Sequence, residues 1–111
     1  MTETLHLTPR EVWEAQAERQ MYVPEAFERE GFIHCTDGVA NLVEAGNRYY
    51  VADARPFVCL VIDVERLTAP VRYEDAAHIF PHIYGPLNTD AVLRVRVVRR
   101  DTRGGFLGLE D

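Results

Sequence analysis

Phe57-Val58-Cys59-Leu60-Val61-Ile62-Asp63 is the stretch whose reading decides the fold. Its six apolar residues, enriched in β-branched types, form a run too short for an ordinary helix, and this is expected to be the central strand of a sheet. The turn Ala52-Asp53-Ala54-Arg55-Pro56 leads into it. After it, Val64 to Ala69 reads as a turn with one helical twist, Val71 to Glu74 as a short strand and Ala91 to Arg99 as a half-exposed strand. Gly104-Gly105 and the acidic end Glu110-Asp111 show no clear element.

Toward the N-terminus, Gly31 to Cys35 reads as a buried strand, and Thr36 or Asp37 can cap the helix that follows. Val39, Leu42, Val43, Gly46 and Tyr50 recur at helical spacing, which lays one face on the core, with Asn47 and Arg48 on another side. Leu5 and Leu7 alternate around His6 as a short strand ending at Thr8-Pro9. Thr8 then suits an N-cap, Pro9 the first helical position and Glu11 the capping-box position, with Val12, Trp13 and Ala17 as a stripe through about Gln20. Met21 to Glu30 stays open between a single turn from Pro24 carrying Phe27 and a loop over the sheet. Two helices placed early and strands accumulating late argue for α+β rather than a doubly wound sheet.

A chain of 111 residues fits one domain, residues 1–111, and 47% hydrophobic with 27% charged residues is ordinary globular usage. The net charge of -6 argues against nucleic acid as a general partner. Arg94 and Arg96, followed by Arg99, Arg100 and Arg103, read as a solvated strand face. The N-terminus lacks a basic and apolar leader, and no run approaches the roughly 18 apolar residues of a membrane span, so the expected location is the cytoplasm. Cys35 and Cys59 lie inside apolar runs, which suits buried free thiols in a reducing compartment.

Polar residues interrupt the apolar pattern in three places. His34 stands in a strand where an apolar residue is expected, and a buried imidazole needs hydrogen-bond partners. Thr36, two residues on, points to the same side of an extended chain. Asn47, Arg48, Tyr49 and Tyr50 end the second helix with an amide, a guanidinium and two aromatic rings. Phe80-Pro81-His82-Ile83-Tyr84-Gly85-Pro86-Leu87 reads as a stiff, aromatic-rich loop. Together they describe a small-molecule pocket, with a backbone-satisfied core histidine and core tyrosines as the plain alternative. His6, His34, Cys35, Cys59, His78 and His82 contain no C-x-x-C or H-E-x-x-H spacing, and Pro81 separates His78 from His82, so no metal site is expected. Cys35, adjacent to His34 on a strand, points to the opposite face and is read as packing.

The strings Glu30-Gly31-Phe32-Ile33-His34-Cys35-Thr36, Asn47-Arg48-Tyr49-Tyr50 and Phe80 to Leu87 resemble the pattern of the bacterial-type family called domain of unknown function 952 over nearly the whole chain. That family is similar by fold to the ADP-ribosyltransferase superfamily, which includes the RNA 2'-phosphotransferases. The resemblance implies a small α+β domain with two main helices packed on a mixed, strongly bent sheet. It implies NAD or a related nucleotide as ligand, with an RNA end as one acceptor class. His34, with the Cys35 backbone and Thr36, would hold ribose and nicotinamide amide; Tyr49 or Tyr50 would stack; Asn47, Arg48 and Tyr84 would complete the ligand shell. Cys35 stands where the superfamily has glycine, and no glutamate lies between Phe80 and Leu87. The third catalytic position implied by the resemblance lies in or near the His82 to Tyr84 segment, with His82 as a base or Glu74 swinging in as the candidates. The second reading is a non-catalytic small-molecule or protein binding module on the same fold.

Overall fold

The apolar run Phe57–Asp63 is a strand buried at all seven residues. Alternate side chains serve two cores, as the two-residue period of a strand requires. Val58, Leu60 and Ile62 pack with Trp13, Tyr22 and Ile83, whereas Phe57, Cys59 and Val61 pack with Leu42 and Phe106.

The computed structural model describes residues 2–110, so Asp111 of the acidic end lies outside the described residues. The elements are β1 (Glu3–Pro9), α1 (Arg10–Glu14), β2 (Met21–Tyr22), α2 (Phe27–Glu30), β3 (Ile33–His34), α3 (Val39–Tyr49), β4 (Phe57–Asp63), β5 (Val71–Tyr73), β6 (Pro81–Ile83), β7 (Leu87–Asn88), β8 (Val92–Arg100) and β9 (Phe106–Leu109). Strands β1-β4-β8-β9 form one sheet, β3-β6-β5 a second and β2-β7 a third. A bridge between Leu5 and Thr36, with N–H to carbonyl distances of 3.0 and 2.7 Å, joins the free edge of β1 to the chain just after β3. The two larger sheets thus run into one strongly curled surface around the cores.

Several expectations are corrected. The ladders are antiparallel throughout the described residues rather than mixed. Only α3 is a long helix, because α1 stops at Glu14. Gln16 folds its amide back onto the Val12 and Val23 carbonyls and accepts from the Val23 N–H, which holds a loop where the helix was expected to continue. Thr8 does not cap α1; it is a buried strand residue 2.8 Å from the Tyr22 hydroxyl. Neither Thr36 nor Asp37 caps α3, whose N-cap is Gly38. Thr36 spends its backbone on Leu5, and the Asp37 carboxylate accepts from Thr4 at 2.7 Å and Tyr73 at 2.5 Å.

The expected loop from Phe80 to Leu87 contains β6 and the start of β7. Pro81 takes the first position of β6, where its missing N–H is tolerated, and its carbonyl accepts from Cys35 N–H at 3.0 Å. The glycine-rich end forms β9, held on α3 by a double clamp: Asn47 donates to the Phe106 carbonyl at 3.1 Å and accepts from its N–H at 2.6 Å.

Candidate functional site

Strand alternation sorts the second sheet into two faces. Ile33 and Ile83, opposite one another, are fully buried. The other face therefore carries Phe32, His34, His82 and Tyr84, joined from β5 by Arg72 opposite His82. The expectation of a buried His34 is corrected, since its side chain is 51% exposed. The buried imidazole of this protein is His6, at 4%.

His34 and His82 form a cross-strand pair with ring centroids 5.1 Å apart and planes at 82°. Each imidazole holds a carboxylate. His34 Nε2 lies 3.1 and 3.2 Å from the two oxygens of Glu30, and His82 Nδ1 lies 3.2 Å from Glu74 Oε1. Phe32 stacks on His82 at 4.2 Å and meets the edge of His34 at 4.8 Å, so it fixes both rings. Tyr84 donates to the same Glu74, and this bond, then that of His82, holds the Glu74 carboxyl below the usual carboxylate range.

One side of this pair opens on a cleft of about 660 Å3, within the range of small-molecule sites. The end of α2, the chain from His34 to Thr36, the inner face of α3 and the loop before β6 form its walls. Among the anticipated residues, the cleft gathers His34, Cys35, Thr36, Arg48, Tyr49, Tyr50 and His82. Thr36 borders the cleft although only 6% exposed, and its hydroxyl makes no hydrogen bond among the described residues. Tyr50 packs its ring on Phe57 at 5.3 Å, and burial first, then Glu30, pushes its phenol up. Tyr49, 69% exposed, is the ring with a free stacking surface.

Three anticipated residues are not brought to the cleft. Asn47 is spent on Phe106, and Tyr84 and Glu74 lie beyond His82 on the sheet face. Glu74 thus addresses His82 rather than a ligand. The Cys35 backbone N–H is committed to Pro81, and burial pushes its thiol far up. Sequence reasoning assigned no role to Glu30, Phe32 or Arg29. Glu30 and His34 share an i,i+4 spacing, but a helix end, a left-handed Gly31 and a strand separate them, so no regular periodicity announces the contact. Among the described residues, no group of three or more His, Cys, Asp or Glu side chains is gathered as for a metal ion.

The description "Protein of unknown function (DUF952)" matches residues 7–95, most of the chain and every wall of this cleft. The chain belongs to the DUF952 family. Within the fold of this DUF952 chain, the crystal structure of protein CC0527 from Caulobacter crescentus is similar at a TM-score of 0.79 and 23% identity, covering 96% of this chain and 94% of that one. The solution structure of CC0527 is similar at 0.72 and 24%, covering 96% and 91%. These likenesses establish a shared fold. No curated protein matches the chain. No helix among the described residues of this DUF952 chain is long and apolar enough to cross a membrane.

Proposed function

We propose that the cleft is a nucleotide site, taking NAD or a related nucleotide in an ADP-ribosyltransferase-like arrangement within the reducing cytoplasm. The observation that carries this reading is convergence. A strand end supplies His34 and the unbonded Thr36 hydroxyl, a helix end supplies Arg48, Tyr49 and Tyr50, and β6 supplies His82, all on one cavity. A ribose meets hydroxyl and imidazole groups, a heterocycle meets the exposed Tyr49 ring, and phosphates meet Arg29 and Arg48 at the rim. Arg29 has no partner among the described residues, which leaves its guanidinium to an anion.

Binding without ADP-ribosyl transfer is the second reading, and a specific observation favours it. The Cys35 N–H, which would hold a nicotinamide amide, is already bonded to Pro81, and Glu74 is turned to His82 and Tyr84.

Calorimetry or ligand-detected NMR with NAD and ADP-ribose tests the proposal. Binding by the wild type, weakened at least about tenfold, or about 1.4 kcal/mol, in His34→Ala and Arg48→Ala, supports it. No binding, or equal binding by both variants, overturns it. Release of nicotinamide from NAD would reject the second reading.

A further inference from the structure

We propose that His34 and His82 are a general acid–base pair that hydrolyses a phosphodiester of a nucleotide held in the cleft, an inference that rests on the nucleotide reading above. The two imidazoles face each other across β3 and β6 with centroids 5.1 Å apart, and both border the cavity. Each uses one nitrogen on a carboxylate, Nε2 of His34 on Glu30 and Nδ1 of His82 on Glu74. The second nitrogen of each ring makes no hydrogen bond among the described residues and is free to exchange a proton. This is the acid–base arrangement doubled: a carboxylate orients the ring, and Phe32 holds both rings in place.

The chemistry that needs two imidazoles can be identified. Nicotinamide leaves NAD as a neutral heterocycle and needs no proton, so a second imidazole would have no task in that cleavage. A ribose oxygen leaving phosphorus departs as an alkoxide and does need one. Cys35, the cysteine bordering the cleft, is 2% exposed, which sets a thiol aside, and the nucleophile of the proposed step is water. A neutral imidazole takes a proton from water as the water oxygen bonds to phosphorus. The partner imidazolium gives its proton to the ribose oxygen as the P–O bond breaks. The products are a phosphomonoester and a ribose hydroxyl, and the two rings end with protonation exchanged, which solvent restores. Arg29 and Arg48 at the rim suit the charge on the phosphoryl oxygens. The charged groups around the pair and its cleft are Glu30, Arg29, Arg72, Glu74, Asp75, Glu44 and Arg48, the last two 3.7 Å apart.

The test is incubation of the full chain with 2',3'-cyclic AMP, with 31P NMR following formation of the monophosphate and ADP-ribose binding measured in parallel. The expected result is turnover with a bell-shaped pH profile. His34→Ala and His82→Ala should each lower kcat/KM at least about 100-fold and each abolish one limb of the profile. Glu74→Gln, which alters a positioning residue, should lower kcat about tenfold and displace one limb, an effect that loss of folding would not mimic. Turnover unchanged in either histidine variant overturns the inference. No turnover in a protein that binds ADP-ribose also overturns it while leaving the nucleotide site standing. Turnover without binding of NAD or ADP-ribose supports the acid–base pair and removes the NAD reading alone.

Discussion

The Nδ1–H of His6 donates to the backbone carbonyl of His34 at 2.7 Å, so the buried imidazole of β1 holds the strand end that presents the exposed one. That bond sets the tautomer. Nε2 is left as an acceptor, and the Tyr22 hydroxyl lies 2.9 Å from it.

Burial lowers the His6 pKa from 6.5 to about 4, outweighing the bond to His34. Between those values the unfolded chain binds a proton that the folded chain refuses. Stability is therefore retained above about pH 6.5 and declines as pH falls toward 4, by up to about 3 kcal/mol from this group. Urea denaturation at pH 7, 5 and 4 should show the decline, and His6→Gln should flatten that part of the curve. Equal pH dependence in His6→Gln would reject the assignment.

Gly46 permits the close approach of α3 to β9. A Cβ there would stand 2.6 Å from the Phe106 ring. Gly46→Ala should therefore cost about 1–3 kcal/mol by overpacking, although alanine is the better helix former. A thermal or urea midpoint at or above the wild-type value would contradict the packing argument.

Leu60 is fully buried in the central strand. Leu60→Ala should destabilise by about 2–5 kcal/mol through lost transfer energy and the cavity left behind. Urea unfolding measures it, and a cost below about 1 kcal/mol would mean that the core collapses around the site.

Tyr49 separates binding from stability. At 69% exposure its replacement by alanine should leave the unfolding midpoint within about 0.5 kcal/mol of wild type. The same change should weaken nucleotide binding by about 1–3 kcal/mol if its ring stacks on the base. Unchanged affinity would remove Tyr49 from the ligand shell.

Both cysteines are free and buried, and burial raises both thiols, that of Cys59 to about 12. Native protein should resist iodoacetamide at pH 8, and alkylation should appear only with urea. Rapid labelling of the native chain, read by mass spectrometry, would contradict the burial.

What was legible in the sequence is what local pattern encodes. Phe57–Asp63 announced the central strand because a short apolar run has few other solutions, and Leu42, Gly46 and Tyr50 announced the one long helix through their spacing. Part of the lining of the cleft lies in the three interruptions of that pattern, from His34 and Thr36 through Arg48, Tyr49 and Tyr50 to His82, while Asn47 and Tyr84 of the same interruptions lie elsewhere. Elements whose ends depend on distant partners were not. The Gln16 amide stops α1 through contacts with Val23, β9 exists because Asn47 and β8 receive it, and β6 is a strand because β3 and β5 flank it on either side.

By itself the sequence determined an α+β chain with His34, Thr36, Arg48, Tyr49, Tyr50 and His82 as its chemically notable residues. Only the tertiary structure decided that they share a cavity and which nitrogens remain free. The reason is register. Pairing His34 with His82 places Glu30, Glu74 and Phe32 around them, and a slip of β3 by one residue would send His34 into the core and Ile33 to solvent while His82, held by β5, stayed on the outer face.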